Sequence, residues 1–312
     1  MPDADFSIDR GSSVALGFFD GVHMGHQAVI RAAVQDARAN GRAAAVFTFR
    51  LPLSSTMKGG RLLTERQKHQ IMEQLGVSYY MEPAFEAFCE YSPEAFVTEI
   101  LHGLYHAKAV FCGENFTFGK KAAGNIEKLK ELCQPLGIQV VIVPMTTYKG
   151  ELVSSTRIRA ALNAGDIASV NDMLGRPYAI DFPVQHGQGL GHVLGFPTIN
   201  QIYPEGFSEP KYGIYITRIC INDTWYIGAT GFGNRPTVND GQQGATCETF
   251  ILDFDGQLYG EQLQLEFYQY IAPTRKFENF QQLQDCISNA AQQARTYFEK
   301  TYSRNEGKDC LI

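Results

Sequence analysis

The chain has 312 residues, of which 44% are hydrophobic and 19% are charged, and its formal net charge is −6. This length and composition indicate two globular domains of ordinary size, each long enough to bury its own core. The acidic balance argues against a nucleic-acid partner, because proteins that bind phosphate backbones usually carry a basic patch.

The first half of the chain alternates short apolar runs with segments of helical periodicity. The runs predict five strands, at residues 14–18, 43–49, 77–81, 109–112 and 139–143. Strands that alternate with helices indicate a parallel sheet covered by helices on both faces. A sheet of this kind binds its ligands at the carboxyl ends of its strands.

The second half has a different pattern, in which runs of β-branched and aromatic residues are separated by turns. These runs predict strands at residues 212–221, 224–229, 246–254 and 263–271, with turn signals at 222–223 and 255–256. Successive strands of this type form an antiparallel sheet or a small barrel.

A long amphipathic helix is predicted at the end of the second half. Its apolar face consists of Phe277, Phe280, Leu283, Ile287, Ala290, Ala294 and Phe298. The change of pattern falls near Gly175-Arg176-Pro177, which ends the preceding helix. We therefore predict one domain at residues 1–178 and a second at residues 179–305.

Signals for export or membrane insertion are missing from the sequence. The first ten residues are polar and acidic and lack the cationic and apolar regions of a secretory signal. No run of about 18 apolar residues is present, so no transmembrane helix is expected. The seven cysteines are scattered, which favours reduced thiols over disulfides or a zinc site. We expect a cytoplasmic protein.

The segment G-F-F-D-G-V-H-M-G-H, residues 17–26, follows the first predicted strand and opens the first predicted helix. A helix N-terminus presents free N–H groups and a partial positive charge, and glycines allow the backbone to approach phosphates. His23 and His26 are three residues apart, on one face, and can donate hydrogen bonds to phosphate oxygens. The pattern favours a nucleoside triphosphate site. The alternative is an ordinary turn with two incidental histidines.

The H-x-G-H pattern in this position resembles the signature of the nucleotidyltransferase superfamily, and the longer segment resembles its FAD synthetase branch. The resemblance implies that His23 and His26 stabilise the charge that develops as adenylyl transfer expels pyrophosphate. A second segment, V-S-S-T-R-I-R at residues 153–159, resembles the family's S-S-T-x-I-R. The nucleotide-binding residues implied in this half are Gly17, Phe18, Asp20, Gly25, Asn115, Ser154, Ser155, Thr156, Arg157 and Arg159.

The first half departs from the family pattern at three positions. Arg50 stands where the family's T-F-[DE]-P-H-P has its acid, and Asn115 and Asn125 each stand in place of an aspartate. Losing carboxylates weakens a metal–phosphate site, because Mg²⁺ prefers hard anionic oxygen ligands. Adenylyl transfer that is weak, altered in its acceptor or lost is therefore an open alternative.

A second glycine-rich pattern lies in the segment H-G-Q-G-L-G-H-V-L-G-F-P-T-I-N, residues 186–200. Gly187, Gly189 and Gly191 can cradle phosphates with backbone amides. The ending of a Walker A loop is missing, and a plain turn is the alternative. The continuation resembles the riboflavin kinase motif G-F-P-T-A-N, which implies that Thr198 and Asn200 help to hold Mg²⁺ and ATP. Two residues apart in an extended segment, their side chains point the same way.

Glu248 lies in the segment C-E-T-F-I-L-D-F, residues 247–254, which resembles the riboflavin kinase strand with a central glutamate. The match implies that Glu248 is the general base, which accepts the proton of the riboflavin 5′-hydroxyl as that oxygen attacks the γ-phosphate of ATP. The alternative is a solvent-facing strand residue. His192 and the segment 271–275 depart from the family's kinase pattern.

These motifs identify the chain as a member of the bacterial bifunctional riboflavin kinase/FAD synthetase family. The resemblance implies an α/β-plus-β fold, with an N-terminal Rossmann-like nucleotidyltransferase domain and a C-terminal antiparallel β-barrel followed by a helix. It implies that riboflavin and ATP give FMN, that FMN and a second ATP give FAD and pyrophosphate, and that Mg²⁺ assists. No nucleic acid, membrane or obligate protein partner is expected.

Three alternatives to the two activities are open. The first is a riboflavin kinase whose first domain is inactive or repurposed. The second, more remote, is a non-catalytic flavin or nucleotide sensor, which would have no need of a placed base. A pantetheine- or nicotinamide-type nucleotidyltransferase would explain the first half and leave the second unexplained.

Overall fold

The computed structural model describes residue 8 and residues 10–51, 59–185, 198–234, 244–275 and 277–305. Its contacts divide the chain into two compact units. The first unit comprises Met1–Lys58 and Glu65–Ser155, and the second comprises Gly59–Thr64 and Thr156–Ile312. The short segment Gly59–Thr64 therefore belongs to the second unit, although the sequence on both sides of it belongs to the first. The predicted boundary at residue 178 stays a prediction.

The first unit contains a five-stranded sheet in the order β3-β2-β1-β4-β5. The strands are β1 (Ser12–Leu16), β2 (Ala43–Phe47), β3 (Tyr79–Met81), β4 (Ala107–Gly113) and β5 (Gln139–Val143). All four pairings are parallel, and each strand overlaps one predicted from an apolar run. Both β1 and β2 are buried along their whole length, as expected for a sheet that is covered on both faces. The predicted parallel sheet is confirmed.

Helices connect these strands. They are α1 (Met24–Ala39), α2 (Glu65–Gln74), α3 (Pro93–Ala95), which continues as a π-helix at Phe96–Leu104, and α4 (Ile126–Cys133). The apolar residues of α1 recur at helical spacing, and α1 packs against β1, β2 and β4. Short 3-10 turns occupy Asp20–Val22, Phe85–Ala87, Lys120–Ala122 and Gln134–Leu136.

The strand order places a topological switch point between β1 and β4. The chain runs outward from β1 through β2 to β3 and then returns to the other side of β1 to form β4. In open α/β sheets, ligands bind at such a point, outside the carboxyl ends of the strands. The residues that follow β1 and β4 therefore line the expected binding edge.

The second unit contains a seven-stranded sheet in the order β8-β14-β11-β12-β13-β10-β9. Its strands are β8 (Tyr178–Ile180), β9 (Val184–Gln185), β10 (Thr198–Ile202), β11 (Gly213–Ile221), β12 (Thr224–Asn234), β13 (Ala245–Ile251) and β14 (Leu265–Ala272). Every pairing is antiparallel, which confirms the predicted architecture. A separate two-stranded sheet pairs β6 (Thr147–Tyr148) with β7 (Glu151–Leu152) in the first unit.

The seven-stranded sheet is strongly curved. Its two edge strands, β8 and β9, are joined by residues 181–183 only, a link that spans at most about 14 Å. In a flat sheet the same two edges would lie about 29 Å apart, so the sheet must roll. The buried amide of Gln201 closes the roll, since its Nε2 donates to Phe182 O at 2.6 Å and to Leu263 O at 2.9 Å.

The two segments predicted as turns between strands differ in the structure. Asn222 and Asp223 join β11 to β12 and both have positive φ, 48° and 61°, which suits a tight hairpin. Asp255 and Gly256 lie in the longer connection 252–264. That connection joins β13 to β14, which are not neighbours in the sheet.

In chain order after the first sheet, the described residues include the helices α5 (Ser155–Ala164), α6 (Ile167–Leu174) and α7 (Phe280–Asn305). Gly175 ends α6 in the left-handed conformation, as predicted. The predicted apolar face of α7 is only partly buried. Ala290, Ala294 and Phe298 are buried, whereas Phe280 is 62% exposed and Phe277 precedes the helix. Periodicity indicates which face of a helix is apolar, but it does not indicate how much of that face is covered by other residues.

Candidate functional sites

The loop between β1 and α1 has an unusual backbone. Phe19, Gly21 and Val22 all have positive φ, at 50°, 78° and 39°. A β-branched residue such as Val22 rarely adopts this conformation, and each such non-glycine residue costs on the order of 1–3 kcal/mol. Both Phe19 and Val22 are buried, so packing holds the strained shape. Gly17 is also required, because a Cβ there would lie 2.8 Å from the Phe19 ring.

His23 and His26 lie side by side at the N-terminus of α1. His23 caps the helix, and its Nδ1 accepts a hydrogen bond from His26 N at 3.3 Å. The two rings stack with centroids 3.6 Å apart. With Nδ1 as the acceptor, a neutral His23 carries its proton on Nε2, which is then a donor. Gly25 gives the His23 ring its space, because a Cβ on Gly25 would lie 3.3 Å from it.

The start of α5 contacts the same loop. The hydroxyl of Ser155 donates to Asp20 O at 2.8 Å, so the serine motif and the histidine motif meet in the first unit. Asp20 is buried and Ser154 is half-buried. These contacts bring His23, His26, Gly25, Asp20 and Ser155 together at the carboxyl end of β1.

Three of the nucleotide-binding residues predicted in the segment 153–159 belong to the second unit. Thr156 is exposed, and Arg157 and Arg159 are half-buried. The guanidinium of Arg159 donates through Nε to Gly60 O at 2.7 Å. Arg159 therefore contacts the Gly59–Thr64 segment, and its predicted contact with a triphosphate stays a prediction.

The residues that depart from the family pattern occupy defined places. Asn115 follows β4, next to β1 in the sheet, and is exposed. Asn125 caps α4, because its Oδ1 accepts a hydrogen bond from Lys128 N at 2.9 Å. An aspartate would cap in the same way, so this replacement keeps the local structure and removes a charge. The guanidinium of Arg50 lies 3.6 Å from the Glu65 carboxylate in a half-exposed ion pair.

An aromatic cluster at the same edge of the sheet was not predicted. The Phe18 ring lies 4.8 Å from Phe49, which lies 5.2 Å from Phe85 and 5.6 Å from Phe88, centroid to centroid. All four are half-buried. The available signal was that Phe18 and Phe49 end the first two predicted strands, whereas Phe85 and Phe88 follow the third.

In the second unit, antiparallel register brings the predicted kinase residues together. Asn200 in β10 lies directly opposite Glu248 in β13. The hydroxyl of Thr198 donates to Glu248 Oε1 at 3.0 Å. Alternation along β13 buries Cys247 and Thr249 and leaves Glu248 exposed between them. The three polar side chains thus share one face of the sheet.

Gly231 lies on the other side of Glu248, opposite it in β12. Among the described residues, a Cβ at this position would meet only Glu248 O, at 3.9 Å, so within that part of the chain the glycine leaves open space beside Glu248. Gly187, Gly189 and Gly191 lie outside the described residues, and their predicted phosphate contacts stay a prediction.

The side-chain oxygens of Thr198 and Asn200 suit a magnesium ion that is bound mainly through substrate. Within the described ranges no group of three or more His, Cys, Asp or Glu side chains could hold a metal. The Thr198 hydroxyl and the Asn200 side chain supply neutral oxygens instead. Mg²⁺ usually keeps several waters and takes only one or two protein ligands together with substrate phosphates. These residues therefore fit the ion as partial ligands.

Comparisons with known proteins match both halves of the chain. Residues 5–157 match the FAD synthetase family and residues 174–298 match the riboflavin kinase family. The chain is 36% identical to the bifunctional riboflavin kinase/FMN adenylyltransferase of Listeria monocytogenes, over 94% of each chain. It is 34% identical to the Bacillus subtilis protein of that name, over 92% of each chain.

One solved structure resembles the whole chain. A crystal structure described as a macrolide-efflux protein from Streptococcus pneumoniae has a TM-score of 0.83 and 26% identity, over 93% of this chain and 96% of that one. Among the helices of the described residues, none has the length and apolar character that a bilayer crossing requires.

Proposed function

The chain belongs to the family of bifunctional riboflavin kinase/FMN adenylyltransferases, and on that premise we propose that it carries out two successive reactions. The second unit transfers the γ-phosphoryl group of ATP to riboflavin and gives FMN and ADP. The first unit transfers AMP from a second ATP to FMN and gives FAD and pyrophosphate. The placement of Glu248 opposite Asn200 and within hydrogen-bond distance of Thr198 carries the first assignment.

Glu248 acts as the general base of the kinase reaction. Phosphoryl transfer depends mainly on alignment and charge neutralisation, with a base oriented on the attacking hydroxyl. The Thr198 hydroxyl orients the carboxylate by donating to it, and so keeps its own lone pairs for a cation. Thr198 and Asn200 would hold Mg²⁺, which when bound neutralises charge on the phosphates of ATP. The open space beside Gly231 leaves the carboxylate accessible to the riboflavin 5′-hydroxyl.

His23 and His26 act in adenylyl transfer. Their imidazoles lie at the N-terminus of α1, where free N–H groups and the helix dipole favour a polyphosphate. Donors that are fixed before the reaction stabilise the charge that develops on the departing pyrophosphate. Ser155 holds the Asp20 backbone and so helps to fix the loop in its strained shape.

The three changed residues are compatible with adenylyl transfer. Asn125 retains the helix cap, and Asn115 retains an oxygen at the carboxyl end of β4 next to β1. Arg50 is paired with Glu65, which offsets its charge. We therefore favour the two-activity assignment over a kinase whose first unit is inactive. A cytoplasmic location stays a prediction that agrees with the six described cysteines, all of which are free thiols.

A chromatographic assay with two separate starting flavins tests this proposal. Purified protein is supplied with ATP, Mg²⁺ and either riboflavin or FMN, and flavin nucleotides and pyrophosphate are followed over time. We expect FMN and then FAD from riboflavin, and FAD with equimolar pyrophosphate from FMN. FMN without FAD would restrict the chain to riboflavin kinase activity. No flavin nucleotide from either substrate would contradict both assignments.

A further inference from the structure

Lys68 and Glu82 form an ion pair that is almost completely buried. Lys68 lies in α2 and Glu82 follows β3, with Nζ 2.5 Å from Oε1 and each side chain 10% exposed. Burial and the Glu82 charge raise the pKa of the nearby Tyr80 phenol, which reflects a poorly solvated environment. Removing two charges from water is costly, and a neutral pair of similar shape is often at least as stable. Stability alone therefore gives no reason for this pair.

The pair lies beside the loop that leads from β1 to the two histidines at the start of α1. The α2 helix packs against the Asp20–Val22 turn, and Lys68 Nζ lies 5.8 Å from the centroid of the Phe18 ring. This distance is within the range of about 6 Å for a cation–π interaction. The Phe18 carbonyl is also fixed, because it accepts a hydrogen bond from Thr48 Oγ1 at 2.7 Å.

Phe18 is the last residue before the strained part of the loop. Phe19, with φ of 50°, follows it directly, so a displacement of Phe18 would be passed on to the strained residues. Lys68 contacts Phe18 through its ring, and Thr48 contacts it through its backbone. Glu82 in turn holds Lys68 from the end of β3. The ion pair therefore links α2, the exit of β3 and the histidine loop.

We propose that Lys68, held by Glu82, is a positioning residue for adenylyl transfer, which orients Phe18 and thereby the loop that places His23 and His26. The proposal rests on the assignment of adenylyl transfer to the first unit. It assigns no contact between Lys68 and substrate. Losing a desolvated cation–π interaction of about 2 kcal/mol corresponds to about a thirtyfold loss in kcat.

The same unit offers a control away from the predicted site. Lys128 in α4 and Glu94 in α3 form an ion pair that is longer, at 3.4 Å, and more exposed, at 32% and 54%. Removing both charges there, in the variant Lys128→Met/Glu94→Gln, tests whether the loss of any ion pair in this unit has the same effect.

The experiment compares Lys68→Met/Glu82→Gln with wild type and with the control, using FMN and ATP for adenylyl transfer and riboflavin and ATP for the kinase. We expect a folded double variant whose kcat for FAD formation falls about thirtyfold, with the KM for ATP and FMN and the kinase rate unchanged. Lys68→Arg retains the cation and should restore most of the rate. The Lys128→Met/Glu94→Gln control should lose little of either activity.

Phe18→Leu provides a second test of the inference, one that does not depend on the stability of the variants that lack the ion pair. It should reduce kcat at least as much, and adding the Lys68/Glu82 change to Phe18→Leu should cause little further loss, because Lys68 acts through Phe18. Any of three results would overturn the inference. They are wild-type turnover in the Lys68/Glu82 double variant, an additive loss when the change is combined with Phe18→Leu, and a parallel fall in kinase activity. So would a rise in KM alone, which would make Lys68 a substrate ligand. Wild-type protein that makes FMN but no FAD would instead overturn the assignment on which it rests.

Discussion

The residues proposed for the kinase reaction lie on two adjacent antiparallel strands, whereas those proposed for adenylyl transfer lie where a loop after β1 enters a helix. In the second unit, Thr198, Asn200 and Glu248 are aligned by the register of β10 and β13. In the first unit, the loop leaves β1 through residues with positive φ and is held by buried side chains and by Ser155.

This difference shows two ways of holding polar groups in place. Strand register fixes a side chain through the backbone, so a single substitution on the exposed face removes one group and leaves the others where they are. A strained loop depends on the packing around it, so residues that never meet the substrate are needed to keep its shape. We expect the kinase site to respond mainly to changes in its own residues and the adenylyl-transfer site to respond to its surroundings as well.

The largest effect is expected from Glu248→Gln. The substitution keeps the size and the hydrogen bond to Thr198 but removes the base, and general-base catalysis typically contributes about 10²- to 10⁴-fold. Riboflavin phosphorylation should fall by that factor, while FAD formation from supplied FMN is unchanged. A parallel loss of both activities would contradict the separation of the two sites.

A similar but smaller loss is expected from His26→Ala in the other reaction. Removing one preorganised donor costs about 10²- to 10³-fold in rate. FAD formation from FMN should fall accordingly, with the kinase rate unchanged. His102→Ala, at an exposed position on the π-helix, is the control and should leave both rates intact. An unimpaired His26 variant would remove the histidine motif from the reaction.

Gly60→Ala is expected to have a smaller effect, which concerns stability rather than activity. A Cβ at Gly60 would lie 2.7 Å from the backbone of Phe207 and Ser208, where Ser208 Oγ also donates to Gly60 O at 2.7 Å. Overpacking of this kind costs about 1–3 kcal/mol. Calorimetry should show a lower melting temperature for the second unit. If Gly60→Ala melts like wild type, the Gly59–Thr64 segment is not an integral part of that unit.

Gly41→Ala serves as the control for this substitution. Gly41 has φ of 65°, and no atom of the residues that the structure describes lies within 4 Å of a Cβ built there. Its replacement should therefore cost only the left-handed backbone penalty of about 1–2 kcal/mol, and that cost should fall on the first unit.

The smallest effect concerns pH. Burial raises the pKa of the Cys112 thiol to about 11, whereas an unfolded cysteine titrates near pH 8.5. Between these values the unfolded state releases its proton and the folded state keeps it, so stability is full below about pH 8.5 and falls as the pH rises toward 11. Chemical denaturation across this window should show a smaller decline for Cys112→Val than for wild type. Identical pH profiles would contradict a buried, protonated thiol.

The sequence was sufficient to predict the two architectures, because both depend on periodicity. The five parallel strands appear as apolar runs, and four of the seven antiparallel strands appear as β-branched and aromatic runs, whereas β8, β9 and β10 were not predicted as strands. Thr198 and Asn200 could be placed on one face from their spacing alone. The resemblance implied a role for each of these residues and for Glu248, but their pairing across β10 and β13 is known only from the structure, since no local pattern states which strand neighbours which.

Other features could not be predicted because they depend on contacts between distant segments. The buried Lys68 lies in a helix whose other buried residues are Gln67 and Met72, so periodicity gave no sign of a core-facing charge. The Gly59–Thr64 segment lies in the first half of the sequence but pairs with residues 206–208. Phe280 continues an apolar face but is exposed, because amphipathicity does not show where the partner surface ends.

The central claim, that one chain holds two separable active sites, is tested most directly by complementation. Glu248→Gln and His26→Ala proteins are each supplied with riboflavin, ATP and Mg²⁺, alone and mixed, and flavins are separated over time. Alone, the first should leave riboflavin unchanged and the second should stop at FMN. Mixed, they should produce FAD, because FMN released by one is adenylylated by the other. A mixture that accumulates FMN without FAD, while Glu248→Gln also fails on supplied FMN, would contradict two separate sites.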